Sequence, residues 1–225
     1  MKSLIKVTLV IAVIFASTFI FAKVFGVLSL EQIQSWLEQA HQASDSVLVV
    51  VVIILLFADL FVAIPTLSIC ILAGYFLGFG LGAFAALIGV MLAGTSGYWI
   101  SRLYGERFLN RLLKQQQQRE QLKVSFTKHG FVMILLSRAT PILPEVSACL
   151  AGMTCMPFLR FKLAWCLVSL PYVLIAAYSG SISSVNDPKP AIIAALGLSA
   201  VFAICWTIFK RKVRRDKMQK VRRVT

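Results

Sequence analysis

A chain of 225 residues with 59% hydrophobic content and a mean hydropathy of +0.83 is not a water-soluble domain. Its apolar stretches follow one another without a soluble insert, so we read one integral membrane domain. The formal charge of +14 would suit nucleic acid, but nine of the 23 Lys and Arg fall in residues 210–225 and seven in 102–128.

Both basic runs abut apolar segments, which makes anionic lipid headgroups the expected partner and excludes nucleic acid. A solvated run that only sets orientation accounts for much of the same pattern. Lys2 and Lys6 precede an apolar run from Val7 to Leu28. That run exceeds the roughly 7–15 residues of a signal-peptide core and lacks a small-x-small cleavage site. Residues 1–28 are therefore expected to be an uncleaved first span, its amino end cytoplasmic.

Ser29 and Gln32 form a capping-box pattern, and Leu30, Ile33, Leu37 and Ala40 recur on one face. Residues 29–44 read as a short amphipathic helix with Trp36 suited to the interface. Between Val47 and Ile100 the only charge is Asp59. Residues 47–79 are short for two spans of about 20 residues each plus a turn. The expected solution is a re-entrant hairpin that turns near Pro65 and returns to the side it left. Two short ordinary spans have the same parity, so charge bias does not separate the two readings.

Residues 82–104 read as a full span in which Ala85, Gly89, Ala93 and Gly97 recur at every fourth position, a spacing that lets helix backbones approach closely. Polar and basic residues 105–128, with Phe108, Leu112, Leu122 and Phe126 interspersed, suggest a cytoplasmic helix lying in the membrane surface. A second broken element is expected over 130–156. Pro157 suits the first turn of the next helix, a span over 158–183 with Pro171 as its kink. An external turn at 186–190 precedes a last span of 191–209, and the basic tail 210–225 is expected in the cytoplasm.

Chemistry concentrates in the second broken element. Arg138 and Glu145 stand beside Pro141 and Pro144 in otherwise small and apolar sequence. A charge near the bilayer centre costs at least about 2.5–3.5 kcal/mol even on lenient insertion scales. Neither proline fits inside one uninterrupted helix, and broken backbone at membrane depth needs cover from protein or water. Shifting the chain by 78 residues pairs Ile64 with Ile142, Leu72 with Leu150, Ala73-Gly74 with Ala151-Gly152, and Leu81 with Leu159. With Pro65 ahead of Gly74 as Pro141 and Pro144 are ahead of Gly152, the two copies read as an inverted repeat, the arrangement that places a substrate site between broken helices.

Cys70, Cys149, Cys155, Cys166 and Cys205 lack zinc-site spacing and read as small buried hydrophobes. His41 and His129 are isolated. With no nucleophile–base pair and no metal cluster, neither an enzyme nor a cofactor is expected.

At Leu136-Ser-Arg-Ala-Thr-Pro-Ile-Leu-Pro144 and Leu150-Ala-Gly-Met-Thr-Cys-Met-Pro-Phe-Leu-Arg-Phe161 the sequence resembles the VTT-domain family, also called the SNARE-associated Golgi protein or DedA superfamily. The likeness runs over roughly residues 45–185 and includes Ala73-Gly74 through Gly78 and Tyr98 to Gly105. Pro144 stands where DedA proteins proper carry a second Arg, and Leu67 where they carry an acid. The Arg-x-x-Pro-x-x-Pro form is similar to the Tvp-like branch. The resemblance implies an all-α membrane fold with two oppositely inserted hairpins, about four full transmembrane helices and interfacial amphipathic helices. Its domain would occupy 29–185, with 1–28 as anchor, 186–209 as last helix and 210–225 as tail.

It also implies lipid translocation, by a scramblase or a polyprenyl-phosphate translocase, in a bacterial inner membrane. Arg138 would hold a headgroup phosphate, with Glu145 and Asp59 balancing it when no lipid is bound. The same three residues could instead be a structural ion-pair set locking the hairpins. An ion- or proton-coupled small-solute transporter is the alternative function. A scaffold that binds membrane partners through the Gly/Ala face is the third, and a homo-oligomer stays open.

Overall fold

The computed structural model describes residues 2–24, 30–61, 64–138 and 142–183, with helical fragments between 189 and 204. Seven helices are described: α1 (Lys2–Val24), α2 (Leu30–Ala43), α3 (Asp45–Ala58), α4 (Thr66–Leu112), α5 (Gln116–Ser137), α6 (Leu143–Met153) and α7 (Phe158–Ser181). No strand occurs among the described residues. In α3 the β-branched run from Val49 to Ile54 would favour a strand in water. Apolar surroundings require each backbone group to be bonded within its own segment, and the run is helical. Ser44 caps it, its Oγ accepting from Val47 N at 3.3 Å.

Glycine geometry shapes α4. At Gly78 the backbone adopts φ 73°, ψ 175°, a region that side chains other than hydrogen rarely enter. The chain folds back there so sharply that a Cβ on Gly82 would collide with the Ala73 carbonyl. In effect α4 has a first limb over 66–77 and a second over 79–112. The expected span 82–104 lies within the second limb. At 1.5 Å per residue the 14-residue α3 is roughly 21 Å long and the 11-residue α6 roughly 17 Å, both below the ~30 Å hydrocarbon thickness. Two described helices are long and apolar enough to cross a membrane, Thr66–Leu112 and Phe158–Ser181.

The halves grip each other through missing side chains. A Cβ on Gly74 would strike the Ala177 carbonyl, and one on Gly180 the Ile71 carbonyl, so α4's first limb and α7 touch backbone to backbone. A Cβ on Gly152 would strike the Tyr98 carbonyl, joining α6 to α4's second limb in the same way. Under the 78-residue shift Gly74 corresponds to Gly152 and the 176–180 region to 98–102. Each copy thus docks its Ala-Gly step on the long helix of the other. Gly89 faces Leu56 Cβ at 2.7 Å and Gly97 faces Leu60 Cδ1 at 2.8 Å and Ala148 Cβ at 3.6 Å, measured from an ideal Cβ. The expected Gly/Ala ladder is therefore covered by α3 and α6 of the same chain, and does not present the outward face that a scaffold would use.

Two expected boundaries move. Residues 105–128 are not a separate surface helix: α4 continues to Leu112, and α5 runs unbroken from Gln116 to Ser137. The reason is burial, since Leu109, Leu113, Leu122 and Phe126 are fully packed inside the protein. The second broken element accordingly starts at the end of α5 and not at residue 130. Pro157 takes the N-cap of α7, and Pro171 lies inside that helix. The capping residue Ser29, most of the expected span 191–209 and the tail 210–225 fall outside the described residues.

Opposite ends of the bundle are marked by two contacts. Lys6 Nζ donates to the Leu112 carbonyl at 3.4 Å, and the His41 and Phe76 rings lie 5.7 Å apart. Between α6 and α7, Cys155 N donates to Gly152 O and Met156 N to Ala151 O, both at 3.0 Å, a Schellman closure with Cys155 in the left-handed position at φ 54°.

Two measurements of thermal unfolding in detergent follow from this packing. Gly152→Ala should lower stability by about 1–3 kcal/mol, whereas Gly80→Ala, with nothing within 4 Å, should be neutral or slightly stabilising; equal unfolding of Gly152→Ala and the parent would contradict the backbone contact. Cys155→Gly should stabilise by about 1 kcal/mol by relieving the left-handed cysteine, and a loss of stability would contradict that geometry.

Candidate functional site

Two helices end where the halves meet, and each ends on a charge. Asp59 is the C-cap of α3 and Arg138 the C-cap of α5. A cation is favoured at a helix C-terminus and an anion is not, so the two caps need different partners.

Asp59, 6% exposed, finds donors within its own turn. Its Oδ1 accepts from Ile64 N at 2.7 Å and its Oδ2 from Thr66 Oγ1 at 2.5 Å. Pro65 follows as the N-cap of α4, its carbonyl accepting from Ser68 N and Ile69 N. Both carboxylate oxygens are thus used in closing the turn, which makes Asp59 the organiser of that tip.

Arg138 has no such local partner. Its guanidinium lies over the Tyr172 ring at 4.8 Å and the Trp165 ring at 5.5 Å from the centroids, and Nη2 donates to Ser169 Oγ at 3.2 Å. Trp165, Ser169 and Tyr172 recur four and three residues apart, so they form one face of α7, and all three are buried. The indole is fixed in turn: Trp165 Nε1 donates to Val90 O at 3.2 Å, and it lies where a Cβ on Gly94 would be. Arg138 Nε is buried without a hydrogen-bond partner. A desolvated cation on an aromatic face is stabilised by about 2 kcal/mol, but rings supply no acceptor for the remaining N–H groups.

Glu145 occupies the first turn of α6, where an acid suits the helix dipole. Its Oε2 is buried and has no hydrogen-bond donor. Arg138 interacts electrostatically with both Asp59 and Glu145. Direct pairing is absent: among the described residues the ion pairs are His41–Asp45 and Lys123–Glu120. The site therefore brings the three expected charged residues into one neighbourhood without locking them together.

Of the hairpin-shaping residues, Pro144 is buried in the first turn of α6, and Gly74 and Gly152 make the close contacts described above. Pro141 falls outside the described residues. Ile142, the N-cap of α6, holds φ 74°, an outlier for a β-branched side chain. It sits in the turn between Arg138 and Glu145. Sequence reasoning missed the aromatic cage and Thr66. The i, i+4, i+7 pattern of Trp165, Ser169 and Tyr172 was readable, but aromatic residues at helical spacing ordinarily mark a core. Among the described residues no three His, Cys, Asp or Glu come together to hold a metal ion.

A family model described as the VTT domain matches residues 64–182, which contain Arg138, Glu145 and the α7 cage. Undecaprenyl phosphate transporter A of Bacillus subtilis is 28% identical over 126 residues, covering 52% of this chain and 64% of that protein. An uncharacterized membrane protein of Synechocystis is 27% identical over 111 residues, covering 45% of this chain and 51% of that protein. The chain thus spans less than two thirds of the length of either relative. No solved structure matches it.

The geometry separates a structural charge from a spare one. Asp59→Ala should destabilise the fold by roughly 1–3 kcal/mol, because Ile64 N and the Thr66 hydroxyl lose their acceptor. Arg138→Met should be neutral or stabilising in thermal unfolding, since it breaks no direct ion pair; a loss of about 3 kcal/mol or more would show instead that Arg138 holds the fold together.

Proposed function

The chain belongs to the VTT-domain family, and on that premise we propose that it moves a phosphate-bearing lipid across a bilayer at the meeting of the two helix tips. The observation that carries this reading is the state of Arg138. It is a guanidinium placed on two aromatic faces, bonded once to Ser169 and left with an unused, buried Nε. A planar fork of N–H donors without an anion fits a phosphate oxygen, where a lysine would offer only a point charge.

In this reading α3 with α4's first limb, and the end of α5 with α6, are hairpins dipping into the bilayer from opposite faces. Their short lengths and the exchange of Ala-Gly contacts between the two copies support it. Arg138 then offers a headgroup one polar station inside the hydrocarbon, lowering the barrier that a phosphate meets on crossing. The name of the Bacillus subtilis relative supports a phosphate lipid as the substrate class, with either a polyprenyl phosphate or a phospholipid as the cargo. No step requires covalent chemistry, so the role is transport and not catalysis. The contact of Lys6 with Leu112 supports placing the amino end and the basic 102–128 region on one side, which by the basic bias is the cytoplasm of a bacterial inner membrane.

A second reading, proton-coupled transport of a small solute, draws on Glu145 Oε2, whose lack of a donor suits a carboxyl that takes up a proton. An imposed pH gradient should then drive solute uptake into proteoliposomes, and uptake independent of the gradient would remove it.

The principal test is transfer of a fluorescent phosphate lipid between leaflets by purified protein in liposomes. Arg138→Ala should slow transfer roughly tenfold or more, the loss expected when a charge-assisted hydrogen bond is removed, while Ser169→Ala should slow it less. Unchanged transfer by Arg138→Ala would overturn the assigned site.

A further inference from the structure

A second pair of cations lies outside the central site, in the seam where α4's second limb runs antiparallel to α7. The register is fixed by Val90 O with Trp165 Nε1 at 3.2 Å, Thr95 Oγ1 with Lys162 Nζ at 3.0 Å, and the Trp99 and Phe158 rings at 5.6 Å. The outer side of this seam is apolar and exposed: Leu92, Trp99 and Leu103 on α4, and Leu159 and Leu163 on α7. In a bilayer that side faces lipid.

Two charges interrupt it. Lys162 is half-buried, and its ammonium gives one of three N–H groups to Thr95. Arg102 is exposed and lies 6.0 Å over the Trp99 ring. Its Nη1 donates to Tyr98 Oη at 2.5 Å and to Met156 O at 3.4 Å. Residues 95 and 102 are seven apart, so their Cα atoms lie roughly 10 Å apart along α4. Helical side chains lean toward the helix N-terminus. Because α4 and α7 are antiparallel, Arg102 therefore leans toward Thr95, and Lys162 toward the end where Arg102 sits. Glu106 stands one turn beyond Arg102 and forms no ion pair with it or with Lys162.

We propose that this seam is a docking groove for one anionic membrane lipid, its phosphate held between Lys162 and Arg102 across the Trp99–Phe158 step and its chains lying along the exposed leucines. Charge complementarity selects the occupant. Two cations with spare donors and no acid between them face hydrocarbon, where a phosphate diester is the anion that a bilayer supplies. The aromatic pair suits the boundary between headgroup and chain. Structural staples account for the Lys162–Thr95 bond and for Arg102 Nη1 on Tyr98 and Met156, but not for the donors left over on both cations beside an apolar outer face.

The groove depends on the proposed function only in placing the chain in a membrane; it does not require transport or Arg138. The test is native mass spectrometry of the full chain released from mixed phosphatidylglycerol and phosphatidylcholine, counting retained lipids of each kind. The parent should retain phosphatidylglycerol preferentially. Lys162→Gln and Arg102→Gln should each reduce that preference about fivefold, the effect of one basic group near an anionic surface, while Lys162→Arg keeps it. Lys123→Gln, on α5 and paired with Glu120, makes the same change in net charge and should leave retention at the parent level.

Equal loss from Lys123→Gln, or parent-level retention by both Gln variants in the seam, would overturn the groove. Should Lys162→Gln fail to fold, exposed Arg102→Gln against Lys123→Gln decides alone. The transport site is read separately, by leaflet-to-leaflet transfer with Arg138→Ala, and the groove by phosphatidylglycerol retention with the two seam variants, so failure of one and failure of the other give different results.

Discussion

Backbone-to-backbone contact at three glycines is the constraint on which the rest of the molecule depends. Gly74 and Gly180 bring α4's first limb against α7, and Gly152 brings α6 against α4's second limb. Between apolar helices in an apolar solvent there is no hydrophobic drive to associate, so close packing has to supply the attraction. The contacts are reciprocal, each Ala-Gly step resting on the long helix of the other copy. That reciprocity carries the ends of α3 and α5 into the same region, and with them Asp59 and Arg138.

Once there, the charges are handled by different means. Asp59 sits at the unfavourable end of a helix dipole and is stabilised by Ile64 N and the Thr66 hydroxyl. Arg138 sits at the favourable end and needs no anion to remain, because the helix terminus and two rings already stabilise it. Glu145 is near enough to be felt and too far to pair. A direct Arg138–Glu145 bridge would satisfy both residues and leave nothing to offer an incoming phosphate. The unpaired arrangement leaves Arg138 Nε and Glu145 Oε2 buried without partners, at a cost in stability to which the left-handed Ile142 between the two residues adds.

Much of this architecture could be read from residue order. Capping and periodicity placed α2, charge depletion and Pro65 placed the turn after α3, and Pro157 placed the start of α7. The 78-residue repeat singled out Gly74 and Gly152, though not Gly180. Other features were hidden for physical reasons. The reversal at Gly78 depends on one φ value, and a run of Gly78, Gly80 and Gly82 looks the same in a helix-packing ladder as at a sharp turn. The polar residues between Arg102 and Lys128 masked the buried stripe of Leu109, Leu113, Leu122 and Phe126, so a helix packed within the protein read as one lying on the membrane. Arg138 was conspicuous because intramembrane charge is rare. Its cage was not, since Trp165 and Tyr172 at helical spacing look like any core face until a cation is found between them.

If the chain moves a phosphate lipid as proposed, a lipid phosphate visits the Arg138 guanidinium. Solid-state NMR can ask this directly, by measuring dipolar dephasing between lipid phosphorus and arginine side-chain nitrogen in liposomes, and comparing the parent chain with Arg138→Lys to isolate one guanidinium among the basic residues. Dephasing at hydrogen-bonding range that is present in the parent and missing from the variant is the result predicted here. Identical dephasing in the two would mean that phosphates reach only the surface arginines, and would contradict the central claim.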